Sequence, residues 1–190
     1  MEEDQIFINE LQVPEICLQG LAHERLKESI LHCQACSSAK LTKPLTLHNN
    51  EASLMIVGER ADDVLFDSPQ GKQLANLMAA ANLDMKDVYF SSLLKCRESS
   101  EAANCQHHLI GEVMLVRPKL VICLGYNVCQ VFDLQPDLGS YCMIYPNVHA
   151  LFTYSVSDAS GNQELIVLRT IQEQFSYVAQ TIRHMKQQSA

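Results

Sequence analysis

The sequence predicts an α/β fold, a three-layer α/β/α sandwich around a central, mostly parallel sheet. Short apolar, β-branched runs alternate along the chain with longer segments of helical periodicity, and strands that alternate with helices pair in parallel and are covered on both faces. The 190 residues suffice for one such core and are too few for two generous domains. No internal repeat or low-complexity linker interrupts the pattern. The expected organisation is an N-terminal tail over residues 1–20 and a single domain over residues 21–190.

Each element follows from its own pattern. Leu21 to Cys33 sets Leu26, Ile30 and Leu31 among charged residues, the spacing of an amphipathic helix that ends at a cysteine pair. Ser53 to Gly58 is a short apolar strand closed by glycine; a polar loop and an Ala/Leu/Met-rich helix from about Gly71 to Leu83 follow it. Val88 to Leu94 is the second strand and Asn104 to Val116 the next helix, broken by Arg117-Pro118 before the strand Lys119 to Leu124. Tyr141 to Tyr145 and Ala150 to Ser155 read as further extended segments. In the last helix Leu165, Leu168, Ile171, Phe175, Val178 and Ile182 recur at steps of three and four, a stripe expected in the core.

Composition narrows the function. Hydrophobic residues make up 47% of the chain without an uninterrupted apolar stretch of the ~18 residues that a membrane span needs, so no membrane role is expected. The N-terminus, Met-Glu-Glu-Asp-Gln, is acidic and leads into no secretory apolar stretch; the expected location is the reducing cytoplasm, where disulfides are rare. With 14 Lys and Arg against 22 Asp and Glu, a net charge of -8 argues against strong, non-specific DNA binding, which draws its affinity from cationic side chains. A local basic strip could form from Lys72, Lys95, Arg97, Arg117 and Lys119, although scattered basic residues are usually solvated surface.

The cysteines constrain the chain most. Cys33-Gln-Ala-Cys36 can bite one metal from a single turn, and Cys96 and Cys105 can close a four-thiolate shell from a distant segment; soft thiolates select zinc or an iron-sulfur cluster. The competing reading is that these are buried core thiols, since the chain has 8 Cys and free cysteine is among the most buried residue types. Cys123, Cys129 and Cys142 lie in or beside apolar runs and read as core, as does Cys17 in Ile-Cys-Leu.

Several short motifs stand in a fixed order: Cys33-x-x-Cys36; Gly58-Glu59-Arg60-Ala61-Asp62; Leu65-Phe66-Asp67-Ser68-Pro69-Gln70-Gly71-Lys72; Ser92-Leu93-Leu94-Lys95-Cys96-Arg97; Cys105; Arg117-Pro118-Lys119; and Leu124-Gly125. Over roughly Leu31 to Tyr177 they resemble the iron-sulfur uracil-DNA glycosylases of family 4. Members of that family carry Cys-x-x-Cys, Gly-Glu-Ala-Pro-Gly, Pro-Phe-x-Gly-x-x-Gly-Lys, Asn-x-x-Lys-Cys-Arg, a helical fourth Cys, Arg-Pro-Lys, Leu-Gly and Thr-Tyr-His-Pro. The resemblance implies the glycosylase-like sandwich and a structural 4Fe-4S cluster on Cys33, Cys36, Cys96 and Cys105. Zinc is the competing metal, and four cysteines would leave it no open catalytic position.

The departures bear on the chemistry. Excising a flipped base requires stacking it, hydrogen-bonding its edge and stabilising the anion that leaves. The resemblance keeps a stacking aromatic at Phe66 and the first-loop acid at Glu59, beside Gly58. Both residues have a structural reading as well, Phe66 as a core aromatic and Glu59 as a solvated or loop-capping acid. The base-reading Asn is replaced by Ser92, which lacks the paired donor and acceptor of an amide. Ala61-Asp62 stands for Pro-Gly and adds a carboxylate. Thr153-Tyr154-Ser155-Val156 replaces Thr-Tyr-His-Pro, so Ser155 stands where a histidine would hold positive charge. His149, His107 and His108 are the nearest substitutes, none at the motif position. The expectation is a degenerate, non-catalytic glycosylase scaffold with a vestigial base pocket at Gly58, Glu59, Phe66, Ser92 and Ser155.

Outside that frame, Phe7 to Leu18 is an apolar segment, either a strap on its own domain or a partner-binding peptide. Leu11-Gln-Val-Pro-Glu-Ile-Cys-Leu18 is similar to the N-terminal tail of the psi subunit of bacterial DNA polymerase III holoenzyme, with Ile16 in place of a Trp. That resemblance implies a replication connector whose Leu11, Val13, Ile16 and Leu18 bind clamp-loader subunits. Its domain would hold the chi subunit and, through chi, single-strand binding protein, with direct DNA contact weak or indirect. The alternative is a divergent uracil-DNA glycosylase or damaged-base binder.

Overall fold

The computed structural model describes residues 15–36, 49, 51–66, 68–96, 102–132 and 137–188. Five strands form one sheet in the order β2-β1-β3-β5-β4, with β1 Leu54–Arg60, β2 Val88–Leu94, β3 Leu120–Leu124, β4 Tyr141–Tyr145 and β5 Val148–Thr153. The first four in that order run parallel, and β4 is an antiparallel edge. The parallel part is the sandwich that alternating strands and helices predict. The antiparallel edge has a local cause: Tyr145-Pro146-Asn147-Val148 turns the chain at once, with φ of 64° at Asn147, and proline followed by a left-handed Asn is the pattern of a type II turn.

Period-two alternation divides the strand residues between two cores. Leu54, Ile56, Phe90, Ile122 and Leu151 face one side, where α3 (Pro69–Ala80) contributes Leu74 and Met78, and α6 (Glu164–Gln188) contributes Val167, Ile171, Phe175 and Val178. Met55, Val57, Tyr89, Val121 and Phe152 face the other, against Leu109 and Val113 of α4 (Ala102–Val116) and Val128 of α5 (Tyr126–Gln130). Each fully buried aliphatic or aromatic side chain contributes about 1.5–3 kcal/mol, so both faces anchor the sheet. A further helix, α1 (Glu15–Leu31), packs on α4 where Gly111 leaves room: a Cβ there would sit 3.3 Å from Leu26 Cδ1.

Several expectations are corrected. In α6 the buried stripe starts at Val167; Leu165, two residues away and therefore on the far side of a 3.6-residue turn, is 82% exposed. The loop after β1 is not wholly irregular, because residues Ala61–Val64 form a helical turn, α2. Among the described residues the basic strip does not form: Lys95 is buried, Lys72 lies in the first turn of α3, and Arg117 and Lys119 lie at the opposite end of the sheet, before β3. Arg97 lies outside the described residues, as do Leu11 and Val13; Ile16 and Leu18 belong to α1, with side chains outside the description. The boundary at residue 20 falls within α1, which begins at Glu15 rather than Leu21. No helix among the described residues is long and apolar enough to cross a membrane.

Candidate functional site

The parallel strands all end at one edge of the sheet, and the order β2-β1-β3 places the reversal of strand order beside β1. Crevices at such switch points, outside the carboxyl ends of the strands, are the usual ligand sites of open α/β sheets. Gly58, Glu59 and Ser92 lie at this edge, with Gly58 in register with Ser92. Gly125 and Thr153 to Ser155 complete it from β3 and β5, with the Gly125 N–H donating to the Thr153 carbonyl across 2.9 Å. The vestigial-pocket residues on β1, β2 and β5 therefore share one edge.

Their side chains are largely engaged by the protein itself. Ser92 is 2% exposed, and its hydroxyl donates to the Leu94 carbonyl at 2.9 Å. Ser155 caps a short 3-10 turn, Val156–Asp158: its hydroxyl lies 2.7 Å from that of Ser157 and accepts from the Ser157 N–H, while its own N–H donates to Asp158 Oδ2. Gly125, at φ 90°, packs beneath it, and a Cβ there would stand 3.3 Å from Ser155 Cβ. The buried Thr153 hydroxyl, on the same edge, has no hydrogen-bond partner among the described residues.

Gly58 is required by the fold. A Cβ at this position would come 2.7 Å from Asp63 Cβ, because α2 turns back on β1. Asp63 fixes that turn by accepting the Arg60 N–H at 2.8 Å. Burial, opposed by that hydrogen bond and reinforced by the Glu59 charge, pushes its carboxyl above the ordinary range. Phe66 meets Phe90 edge-on, with ring centroids 5.1 Å apart, and packs on the α3/α6 core. Its structural reading is thus realised, and a stacking role would have to use whatever ring surface the core leaves uncovered.

Glu59 has a partner that the sequence does not reveal. Asn127, in the first turn of α5, donates from Nδ2 to Glu59 Oε2 at 2.9 Å. The only hint is position: Asn127 follows Leu124-Gly125 closely, and Gly125 ends a strand at the switch point. His149 sits at the start of β5, at the other end of the sheet, stacked on Tyr141 with centroids 5.1 Å apart, and so is not at this edge. His107 and His108 lie together in α4, beside the fourth cysteine.

The candidate cysteine ligands lie apart from this edge. The Asn104 side-chain amide donates to the Ala35 carbonyl at 3.1 Å, pinning the Cys33-x-x-Cys36 turn to the start of α4, where Cys105 follows directly. Cys36, Lys95 and Cys33 are near enough to Cys105 for their charges to act on it. Burial is the largest influence and raises the Cys105 thiol above its ordinary range; Lys95 opposes this. Cys33, Cys36 and Cys105 thus share one neighbourhood, and Cys96 follows Lys95 directly in the chain. Among the described residues no three Cys, His, Asp or Glu stand in ligating array for a metal ion. By donor chemistry the set fits an iron-sulfur cluster or zinc, since all four candidate ligands are thiols.

Directly behind Cys96 lies a buried ion pair. Lys95 Nζ is 2.6 Å from Glu112 Oε2, with side-chain exposures of 8% and 3%, and it also donates to Ser91 Oγ at 2.9 Å. The Ser91 hydroxyl donates to the same Glu112 oxygen, and the Tyr89 hydroxyl also bonds Glu112. Cys123 and Cys129 are buried on the α4/α5 side, as expected of core thiols, while Cys142 is half-buried there; Cys17 lies outside the described side chains.

Comparison with known proteins agrees with this geometry. The family described as the uracil DNA glycosylase superfamily matches residues 45–182. The chain is similar to the type-4 uracil-DNA glycosylase of Archaeoglobus fulgidus, 28% identical over 134 residues, which cover 59% of this chain and 67% of that protein. By fold, by the order of its strands and by this family match, the chain belongs to the uracil-DNA glycosylase superfamily.

Proposed function

We propose that this protein is a non-catalytic member of the superfamily that serves DNA replication as a connector, similar to the psi subunit of DNA polymerase III. In this reading Leu11, Val13, Ile16 and Leu18 bind the clamp loader, and the domain holds the chi subunit and, through it, single-strand binding protein. The observation that carries the loss of chemistry is the engagement of Ser92 with Leu94 and of Ser155 with Ser157. Two hydroxyls spent on their own loops offer little to a base edge, and a serine holds no positive charge for a departing anion. The acidic balance of the chain suits a protein whose affinity for DNA comes from partners. A 4Fe-4S cluster on Cys33, Cys36, Cys96 and Cys105 would act as a structural clamp between α1, the end of β2 and α4, with zinc the competing metal.

A second reading is favoured by the likeness to the type-4 enzyme of Archaeoglobus fulgidus: a divergent uracil-DNA glycosylase or damaged-base binder that keeps Glu59 and Phe66. Anaerobically purified protein, assayed for uracil release from single-stranded and mismatched duplex DNA beside an active family member, separates the two. No release from metal-loaded protein is the expected result. Release that disappears in Glu59→Gln would overturn the non-catalytic reading. For the connector role, substitution of Leu11, Val13, Ile16 and Leu18 by Ala is expected to abolish capture of clamp-loader subunits while sparing the fold. Undiminished capture would sink it.

A further inference from the structure

We propose that the buried Lys95–Glu112 pair is a positioning device for the four-cysteine centre, holding the segment that carries Cys96 against the helix that carries Cys105. The inference rests on the four-cysteine reading given above and adds residues to it that are not ligands. Lys95 immediately precedes Cys96, whereas Glu112 lies on the buried face of α4, about two turns beyond Cys105. A single contact of 2.6 Å therefore joins the two segments that deliver the third and fourth cysteines.

Stability alone gives a poor account of this pair. Two charges taken out of water gain little over apolar side chains of similar volume, and such pairs serve better to fix one arrangement among several. The fixing here is directional. Glu112 accepts from Lys95 Nζ, Ser91 Oγ and the Tyr89 hydroxyl, so the carboxylate is held from two positions of β2 and from the residue that follows it. Lys95, tied also to Ser91, cannot rotate without breaking two bonds. With its side chain anchored on Glu112, Lys95 holds the start of the Cys96 segment against the helix that carries Cys105. Outer partners that orient ligands and hydrogen-bond their sulfurs are the recognised means by which a protein tunes a thiolate centre.

The test compares the full-length parent with Lys95→Met, Glu112→Gln and the apolar pair Lys95→Met/Glu112→Leu. Each is purified anaerobically and reconstituted with iron and sulfide. Three quantities are read: the thermal midpoint, the rate of iron loss to a chelator, and the wavelength of the visible sulfur-to-iron absorption. The single variants are expected to lower the midpoint and the double variant to recover most of it. The double variant should nonetheless lose iron on the order of tenfold faster, with its band moved because the cysteine segments are no longer held in one arrangement. A double variant that holds iron at the parent's rate with an unmoved band overturns the proposal and leaves the four-cysteine centre standing. A parent that binds neither iron nor zinc overturns both. If the double variant does not fold, Tyr89→Phe removes one bond to Glu112 with little change in packing. Faster iron loss is expected from it, and an unchanged rate overturns the proposal.

Discussion

Asn127 donates a hydrogen bond to Glu59 across 2.9 Å, tying the end of β1 to the first turn of α5 over the crevice where the strand order reverses. The bond is exposed, and water competes for both partners. Asn127→Ala is expected to change unfolding free energy by less than about 1 kcal/mol. Urea denaturation checks this, and a loss of several kcal/mol would make the bridge a structural tie rather than a surface contact.

Gly71→Ala should be among the most damaging single-methyl additions in the chain. The added Cβ would stand 1.9 Å from the Leu65 carbonyl oxygen, a backbone atom that cannot swing aside, because Ser68 caps α3 and holds the loop against it. Overpacking of this severity costs about 3 kcal/mol or more. Gly20→Ala, a helical position with nothing within 4 Å, is the control, expected to gain about 0.5–1 kcal/mol. The two denaturation midpoints should move in opposite directions.

Asp63→Asn should be at least as stable as the parent at neutral pH. The native carboxyl titrates above its ordinary value of 3.8 chiefly through burial, so the folded state binds its proton more tightly than the unfolded state. Ionisation of Asp63 therefore destabilises the fold above the native pKa. That destabilisation disappears as pH falls through the native pKa to 3.8. Urea midpoints of the two proteins, followed from neutral pH into this window, should converge. A parent that is the more stable at neutral pH would show the charged hydrogen bond to Arg60 outweighing desolvation.

Native protein treated with iodoacetamide near neutral pH should leave Cys123 and Cys129 unmodified. Burial pushes the Cys123 thiol well up, and that of Cys129 to about 12; the thiolate is the reactive form. Peptide mass spectrometry after brief labelling checks this, and rapid modification of Cys129 in folded protein would show α5 opening.

Much of the fold was legible because β1, β2, β3, α3 and α4 each carry enough apolar residues for a period to emerge. The elements missed were short. Ala61–Val64 and Tyr126–Gln130 have too few positions to show periodicity, and the antiparallel direction of β4 depends on a two-residue turn. Leu165 was assigned to the core because an i, i+3 step looks the same whichever side of the helix is buried. The cysteine set came from the order of motifs, since spacing alone left core thiols equally open. The partners of Glu59 and Lys95 were not legible at all. Asn127 and Glu112 lie far along the chain from them, and a lysine next to Cys96-Arg97 reads as solvated surface until α4 is seen to cover it.

The strand order has a consequence for how the chain is made. β1 sits between β2 and β3, and residues Leu54 to Val57 bond to Leu120 to Cys123 on one side. During synthesis from the N-terminus, that side of β1 waits unpaired while β2 and all of α4 are translated. Four consecutive apolar residues on an open strand edge are a template for misassociation. Ribosome-bound chains that end before Leu120 should thus be protease-sensitive and chaperone-bound, with protection gained only once β3 has emerged and the sheet can close around β1.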